Sequence, residues 1–197
     1  MIDYKTAFGY LAGILVIAGY VPYFVSIFKN ETKPHAFSWF VWGLLLGTAG
    51  WVQFSEGAGI GSLGTLLGSA ACFSVFVLAL IKGDRRFTRF DWTMLSVSLG
   101  TFVLWRTTKE ATLAAVLVTL TDAFGFVPTY RKGFLRPFEE NLGPYFLGAV
   151  ATFFGLLSIE QYSVATWLYP ASLMVTDTTF GIVLLIRRRS TTTRKAG

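Results

Sequence analysis

Two aspartates, Asp122 and Asp177, lie deep inside long apolar segments, where a carboxyl group is costly and therefore informative. Asp122 stands nine residues before Arg131, and Asp177 stands ten residues before Arg187. At the rise of an α-helix these separations are roughly 13 and 15 Å, about half of the roughly 30 Å hydrocarbon core of a bilayer. An ionisable residue at that depth costs at least ~2.5–3.5 kcal/mol and by default indicates a functional site.

Two carboxyl groups that face one cavity can take up and release a proton, or can hold a cationic amine. We therefore predict that Asp122 and Asp177 bind a small polar or cationic solute. The alternative is that each carboxyl is protonated and hydrogen-bonded to a neighbouring helix. Four threonines close to the aspartates in the sequence could serve as partners: Thr119, Thr121, Thr176 and Thr178.

The composition indicates which elements must position these carboxyl groups. Hydrophobic residues make up 53% of the 197 residues and charged residues 14%, with a mean hydropathy of +0.56. A soluble domain has about 25% charged residues, so the composition predicts an integral membrane protein in contact with the lipid bilayer. Seven apolar segments are candidate transmembrane helices: 6–28, 37–55, 58–81, 90–105, 111–130, 142–159 and 163–186.

The basic residues orient these segments, because cytoplasmic loops carry an excess of Lys and Arg. Seven spans leave Lys5, Arg106 and Lys109 on one side and the other fourteen of the seventeen cations on the opposite side. We therefore expect an outside N-terminus and a cytoplasmic C-terminus in a prokaryotic plasma membrane. The net charge of +6 is spread over short loops and a basic tail, 187–197, which we expect to be disordered. This pattern favours anionic lipid headgroups over nucleic acid as the partner.

A short phrase occurs twice in the chain. Residues 19–24 read Gly-Tyr-Val-Pro-Tyr-Phe, and 106 positions later residues 125–130 read Gly-Phe-Val-Pro-Thr-Tyr. The segment 75–82 corresponds in the same order to 180–187, since both are apolar runs that end in a basic residue. Several transporter folds are built from internal repeats that enclose a site near the middle of the membrane.

We therefore predict one all-α membrane domain, 1–197, built from two parallel three-helix repeats. Repeat one is 6–81 and repeat two is 111–186, and a linker helix at 90–105 joins them. The linker is required because three crossings invert the chain, so that a parallel second copy needs a fourth crossing first. In this register Val16 is the counterpart of Asp122, and Cys72 is the counterpart of Asp177.

Aromatic residues and prolines supply further candidates. Trp39 and Trp42 lie on one face of the second helix and could stack on a flat solute, although interfacial tryptophans are also common. Tyr145 takes the position of Trp42 in repeat two, so we predict all three as binding residues. Pro22 and Pro128 occupy matched positions inside apolar helices, where proline removes a backbone hydrogen bond. We predict that they act as hinges or gates, the alternative being bends without a function.

With its repeated Gly-Val-Pro phrase, the chain resembles the PQ-loop and SWEET superfamily of seven-helix transporters over about 6–187. That family has a three-plus-one-plus-three arrangement with its N-terminus outside, and a Pro-Gln pair in the first helix of each half. Here the pairs read Pro22-Tyr23 and Pro128-Thr129, so both glutamines are replaced. The resemblance implies a transporter, and it places Asp177 near an asparagine that contacts substrate in the SWEET proteins.

The predicted function is a permease for a small polar solute that works by alternating access, with proton coupling as an extension. The alternative is a membrane receptor or scaffold on the same fold that binds without transport. We expect no enzymatic activity, because the aspartates lack the sequence context of intramembrane proteases, and we expect no cofactor or metal. The single histidine, His35, falls in a loop. A homo-oligomer is compatible with the sequence.

Overall fold

The computed structural model describes residues 3–84, 88–138 and 140–196, without the side chains of Asp91, Pro128 and 191–196. These residues form seven α-helices and one short 3₁₀-helix, Gly59–Ser62, which precedes α3. The helices are α1 (Tyr4–Phe28), α2 (Ala36–Ser55), α3 (Leu63–Lys82), α4 (Arg89–Thr108), α5 (Ala111–Leu135), α6 (Leu142–Leu157) and α7 (Val164–Ala196).

The seven helices coincide with the seven predicted apolar segments, so an all-α fold is confirmed. Four of them are long and apolar enough to cross a membrane: α1, α3 with its preceding turn, α5 and α7. These four indicate a membrane protein. The helix α6 is apolar but has only 16 residues, about 24 Å at the rise of an α-helix. Charges at its ends make α4 less apolar.

Two helices extend beyond the predicted segments. The helix α7 continues past residue 186 and ends at Ala196, in a stretch that contains no proline to stop it. The disorder expected for the basic tail 187–197 stays a prediction. The helix α5 likewise runs to Leu135, five residues beyond the predicted end at 130.

Local sequence explains several helix boundaries. After α1, Asn30 adopts a left-handed φ of 60°, a conformation that commonly ends helices. The helix α2 begins just after Pro34, which disfavours helical geometry at the residue before it. At the start of α6 the side chain of Asn141 accepts a hydrogen bond from the Gly143 amide at 3.0 Å, which satisfies one of the free amides of the first turn.

The helices pack in the same order in the two parts of the chain. In the first part α3 packs against both α1 and α2, and in the second part α7 packs against both α5 and α6. Across the two parts, α1 packs against α6 and α2 packs against α5. The helix α4 contacts α5 and α2. We call the end of the bundle where α1, α3, α5 and α7 begin the near end, and the opposite end the far end.

Small residues allow α3 to approach its neighbours closely. A Cβ added to Gly13 would lie 2.9 Å from Leu67, and one added to Gly43 would lie 3.0 Å from Phe73. The Ser69 hydroxyl donates a hydrogen bond to the Gly43 carbonyl at 2.8 Å. Small residues four apart permit this kind of helix packing in membranes.

At the near end, the loop before α3 pairs with the loop before α7. The Gln161 amide donates to the Gly57 carbonyl at 3.0 Å, and the Glu160 amide donates to the Ala58 carbonyl at 3.2 Å. Lys5 adds a hydrogen bond to the Glu160 carbonyl at 3.2 Å. We refer to residues 57–58 and 160–161 as the near-end loop pair. Backbone contacts of this kind hold the two parts of the chain together at this end.

Candidate functional site

Asp122 of α5 and Asp177 of α7 come together deep within the bundle. The two carboxyl groups interact electrostatically, and each side chain is half-buried. The Asp177 carboxyl packs against α6 at Gly148, where an added Cβ would lie 2.6 Å from Oδ2. The sequence signal of depth in an apolar segment therefore leads to two carboxyl groups that lie within electrostatic range of each other.

Among the described residues, neither carboxyl forms an ion pair or accepts a hydrogen bond. The threonine hydroxyls considered as partners do not reach them: Thr121 donates to the Leu117 carbonyl of its own helix at 2.7 Å. The buried hydroxyl of Thr119, one turn before Asp122, has no partner. Within the described part of the chain, both carboxyl groups are therefore without a polar partner.

Three residues that the sequence analysis did not select complete this cluster. Tyr169 of α7 is 1% exposed, and its hydroxyl interacts electrostatically with both aspartates. Tyr20 of α1 is also within electrostatic range of both aspartates. Its hydroxyl lies 3.2 Å from the Sγ of Cys72 on α3. We call these five residues the central cluster, and they bring α1, α3, α5 and α7 to one place.

A sequence signal for two of these residues was present. Val16 is the counterpart of Asp122 in the repeat register, and Tyr20 lies one helical turn beyond Val16. Cys72 is the counterpart of Asp177 in the same register. Tyr169 gave no comparable signal, because it lies eight residues from Asp177 and aromatic residues near helix ends are common in membrane proteins.

The predicted tryptophans join the central cluster through Tyr20. The Trp39 and Trp42 rings meet edge to face with centroids 5.4 Å apart. Trp39 also lies 6.1 Å from the Tyr20 ring and 4.9 Å from the Tyr23 ring. All four side chains are half-buried. We call Tyr20, Tyr23, Trp39 and Trp42 the aromatic row, and it continues the site from α1 onto α2.

Tyr145 occupies a different surrounding from its predicted counterpart Trp42. Its hydroxyl donates to Glu140 Oε2 at 3.1 Å, and Glu140 pairs with Lys132 at 2.8 Å. Its ring lies edge-on to Phe180 with centroids 4.7 Å apart. Tyr145 interacts electrostatically with Asp177, so it borders the central cluster from the far end while its hydroxyl is used elsewhere.

A cavity of about 50 Å³ lies beside the central cluster between α2, α4 and α5. Trp42 and Thr121 are among its lining residues, and neither aspartate is. A water molecule needs about 10–15 Å³ of such space. The cavity is therefore large enough for water next to Trp42.

The prolines and the histidine lie outside the cluster. Pro22 is within α1, which continues through it without interruption, and its side chain is exposed on the bundle surface. The backbone of Pro128 lies in α5, and its side chain is outside the described part of the structure. His35 lies at the far end, with its Nδ1 2.9 Å from the Ser38 hydroxyl. The described residues contain no group of three or more His, Cys, Asp or Glu placed to hold a metal ion.

The central cluster combines two carboxyl groups, two phenol hydroxyls and a thiol in a setting of low dielectric. Such groups can bind a cation, exchange protons or donate hydrogen bonds to a polar solute. No protein-family model, curated protein or solved structure matches this chain.

Proposed function

We propose that this chain is a permease for a small polar solute and that it works by alternating access. The observation that carries the proposal is the pair Asp122 and Asp177, which interact deep in the bundle without a protein counter-ion among the described residues. Ionisable residues inside a membrane are expensive and mark substrate or ion pathways. Because the carboxyl groups can exchange protons, coupling to a proton gradient is an extension of the same proposal.

Two parallel three-helix repeats joined by α4 are part of this proposal. The proposal matches α1 with α5, α2 with α6 and α3 with α7. Under this matching, the contact between α1 and α6 corresponds to the contact between α5 and α2. Both contacts are present. The same matching relates the contact of α2 with α7 to that of α6 with α3, and these are also both present. The symmetry of the packing supports a duplicated unit.

A matched pair of contacts at the far end supports the same arrangement. Lys82 donates a hydrogen bond to the Phe28 carbonyl at 3.4 Å, and Arg187 donates to the Phe134 carbonyl at 3.0 Å. Each cation also lies over the ring of the same phenylalanine, at 5.7 and 4.2 Å from the centroid. Phe28 and Phe134 are 106 positions apart, the same offset as the repeated phrase.

The proposed membrane arrangement adds α2, α4 and α6 to the four helices that can span a membrane. The N-terminus is then outside and the near-end loop pair faces the exterior, with the basic far end in the cytoplasm. The loop pair lies at the outer end of this arrangement, while the aromatic row and both aspartates retain accessible surface. Bending at Pro22 and Pro128 would open and close the two sides in alternation.

Uptake into liposomes tests this proposal. The purified protein is first screened by thermal shift against sugars, amino acids and amines, and each compound that stabilises it is then offered to the reconstituted protein. We expect uptake that requires the protein and that falls at least about ten-fold in Asp122→Asn and Asp177→Asn, since each removes a charged contact. Asp3→Asn, at an exposed N-terminal position, is the matched control.

Two results would contradict the proposal. Unchanged uptake by the double variant of Asp122 and Asp177 would show that the site is elsewhere. Binding of a compound without uptake or exchange in either direction would favour the receptor alternative over a permease.

A further inference from the structure

We infer that the central cluster binds a small organic cation, held between the two aspartates and the aromatic row. The inference rests on the proposed function, because it names the class of solute for the same site. It goes further by choosing the charge and the chemical type of that solute.

The first argument is the charge balance of the cluster. Among the described residues, the titratable groups within electrostatic range of the aspartates are Tyr20, Cys72, Tyr145 and Tyr169. None of these can carry a positive charge. A buried charge without a compensating partner is strongly unfavourable, so protons or a bound cation must balance the two carboxyl groups.

The second argument is an unused polar group inside the cluster. Tyr169 is almost fully buried, and its hydroxyl makes no hydrogen bond to any residue in the described ranges. It nevertheless lies within electrostatic range of both aspartates. A hydroxyl that makes no hydrogen bond within the protein is free to bind a polar species. A solute or its water at this place would give the hydroxyl a partner.

The third argument is the composition of the adjoining wall. The aromatic row contains two tyrosines and two tryptophans, the side chains that attract cations best through their ring faces. In the parts of the chain that the structure describes, protein cations lie over rings only at the ends of the bundle: Lys5, Lys82, Arg187 and Arg188. The faces of the aromatic row are therefore not taken by a Lys or Arg of the protein.

Carboxylates beside aromatic faces discriminate a cation from a neutral molecule of the same shape. Choline and 3,3-dimethyl-1-butanol form such a pair, because a carbon replaces the quaternary nitrogen in the second compound. A proton alone, or Na⁺ alone, would balance the carboxyl groups without using the aromatic row. These two occupants are therefore outcomes that the experiment must separate from an organic cation.

The test is equilibrium binding to the purified full chain in lipid nanodiscs, measured by calorimetry at constant ionic strength. We expect choline to bind at least about ten-fold more tightly than 3,3-dimethyl-1-butanol, a difference of one order in the dissociation constant. Asp177→Asn and Asp122→Asn should each lower this ratio several-fold, because one carboxyl group and the aromatic row remain. Trp39→Leu should weaken choline binding several-fold, and Trp39→Phe, which keeps a ring, should weaken it less.

Equal binding of the two compounds overturns the inference. The absence of choline binding at concentrations up to about 50 mM also overturns it, since a dissociation constant above that value is far weaker than ordinary solute affinities. Displacement of choline by Na⁺ that is the same in the Trp39 variants as in the unchanged protein also overturns it. Melting temperatures identify any variant that has simply lost its fold. Because the measurement involves no translocation, choline binding without uptake would sustain the cation site and reject the permease. Uptake of a neutral solute that depends on the aspartates, without choline binding, would support the permease and reject the cation site.

Discussion

Gly148→Ala tests whether the position of the Asp177 carboxyl determines binding. The added Cβ would lie 2.6 Å from Oδ2, whereas ordinary contacts begin at 3.4 Å. The carboxyl group must therefore retreat by about 0.8 Å, the difference between these distances, or α6 must move away from α7. The quaternary nitrogen of choline has no N–H to donate, so its contact with the carboxylate is electrostatic and weakens with distance. At an effective dielectric constant of about 20, moving the charges from about 4.5 to about 5.3 Å apart loses roughly 0.6 kcal/mol, which raises the dissociation constant for choline about two- to three-fold.

Calorimetry with choline gives the affinity, and thermal denaturation shows whether the helices have separated. The matched control is Gly100→Ala in α4, where an added Cβ meets nothing within 4 Å. We expect the control to keep both its affinity and its melting temperature. If Gly148→Ala binds choline as tightly as the unchanged protein, while its melting temperature is also unchanged, the placement of the Asp177 carboxyl in the site is refuted.

Two further predictions concern the frame that holds the site. Lys82→Ala and Arg187→Ala should each lower the melting temperature by about 2–4 °C, because each side chain donates to a phenylalanine carbonyl and lies over that ring; an unchanged melting temperature in calorimetric scans would contradict this contribution. Thr65→Val should cost about 1–3 kcal/mol in chemical denaturation, because the buried Gln53 Oε1 loses its donor at 3.0 Å. Gln53→Leu should cost less stability than Thr65→Val, since Nε2 of Gln53 already lacks a described partner. A larger loss of stability would show that this amide group is hydrogen-bonded in the protein.

The sequence predicted the helices well because each is a long apolar run with polar ends, and this pattern depends little on the rest of the fold. It also predicted that Asp122 and Asp177 lie well inside their helices, since depth can be counted along a helix. It did not predict which side chains face them. The direction of Tyr169 depends on how far α7 is rotated about its axis, which only packing against α2 and α5 fixes.

Tyr145 is a second side chain whose surroundings the sequence did not predict. Its position in the repeat matches that of Trp42, but the local ion pair between Glu140 and Lys132 offers its hydroxyl a partner that repeat one lacks. The position of a residue in the proposed repeat therefore does not predict the partner of its side chain.

The central cluster is chemically unequal between the two proposed repeats. Both carboxyl groups come from α5 and α7, whereas α1 and α3, their counterparts in that proposal, supply Tyr20 and Cys72. If the two helix sets are equivalent, a carboxyl group moved from Asp177 to its counterpart Cys72 should still face the same solute. The Tyr20 hydroxyl, 3.2 Å from Sγ, is placed to donate a hydrogen bond to it.

The combined variant Asp177→Asn with Cys72→Asp tests this equivalence, because aspartate is close to cysteine in volume and restores the number of carboxyl groups. We expect it to recover choline affinity to within about ten-fold of the unchanged protein, the loss of one good contact. Asp177→Asn with Cys72→Asn is the matched control, which has the same shape without the charge and should not recover. If calorimetry gives the two combined variants the same affinity, the position of Cys72 does not face the solute, and the site belongs to α5 and α7 alone.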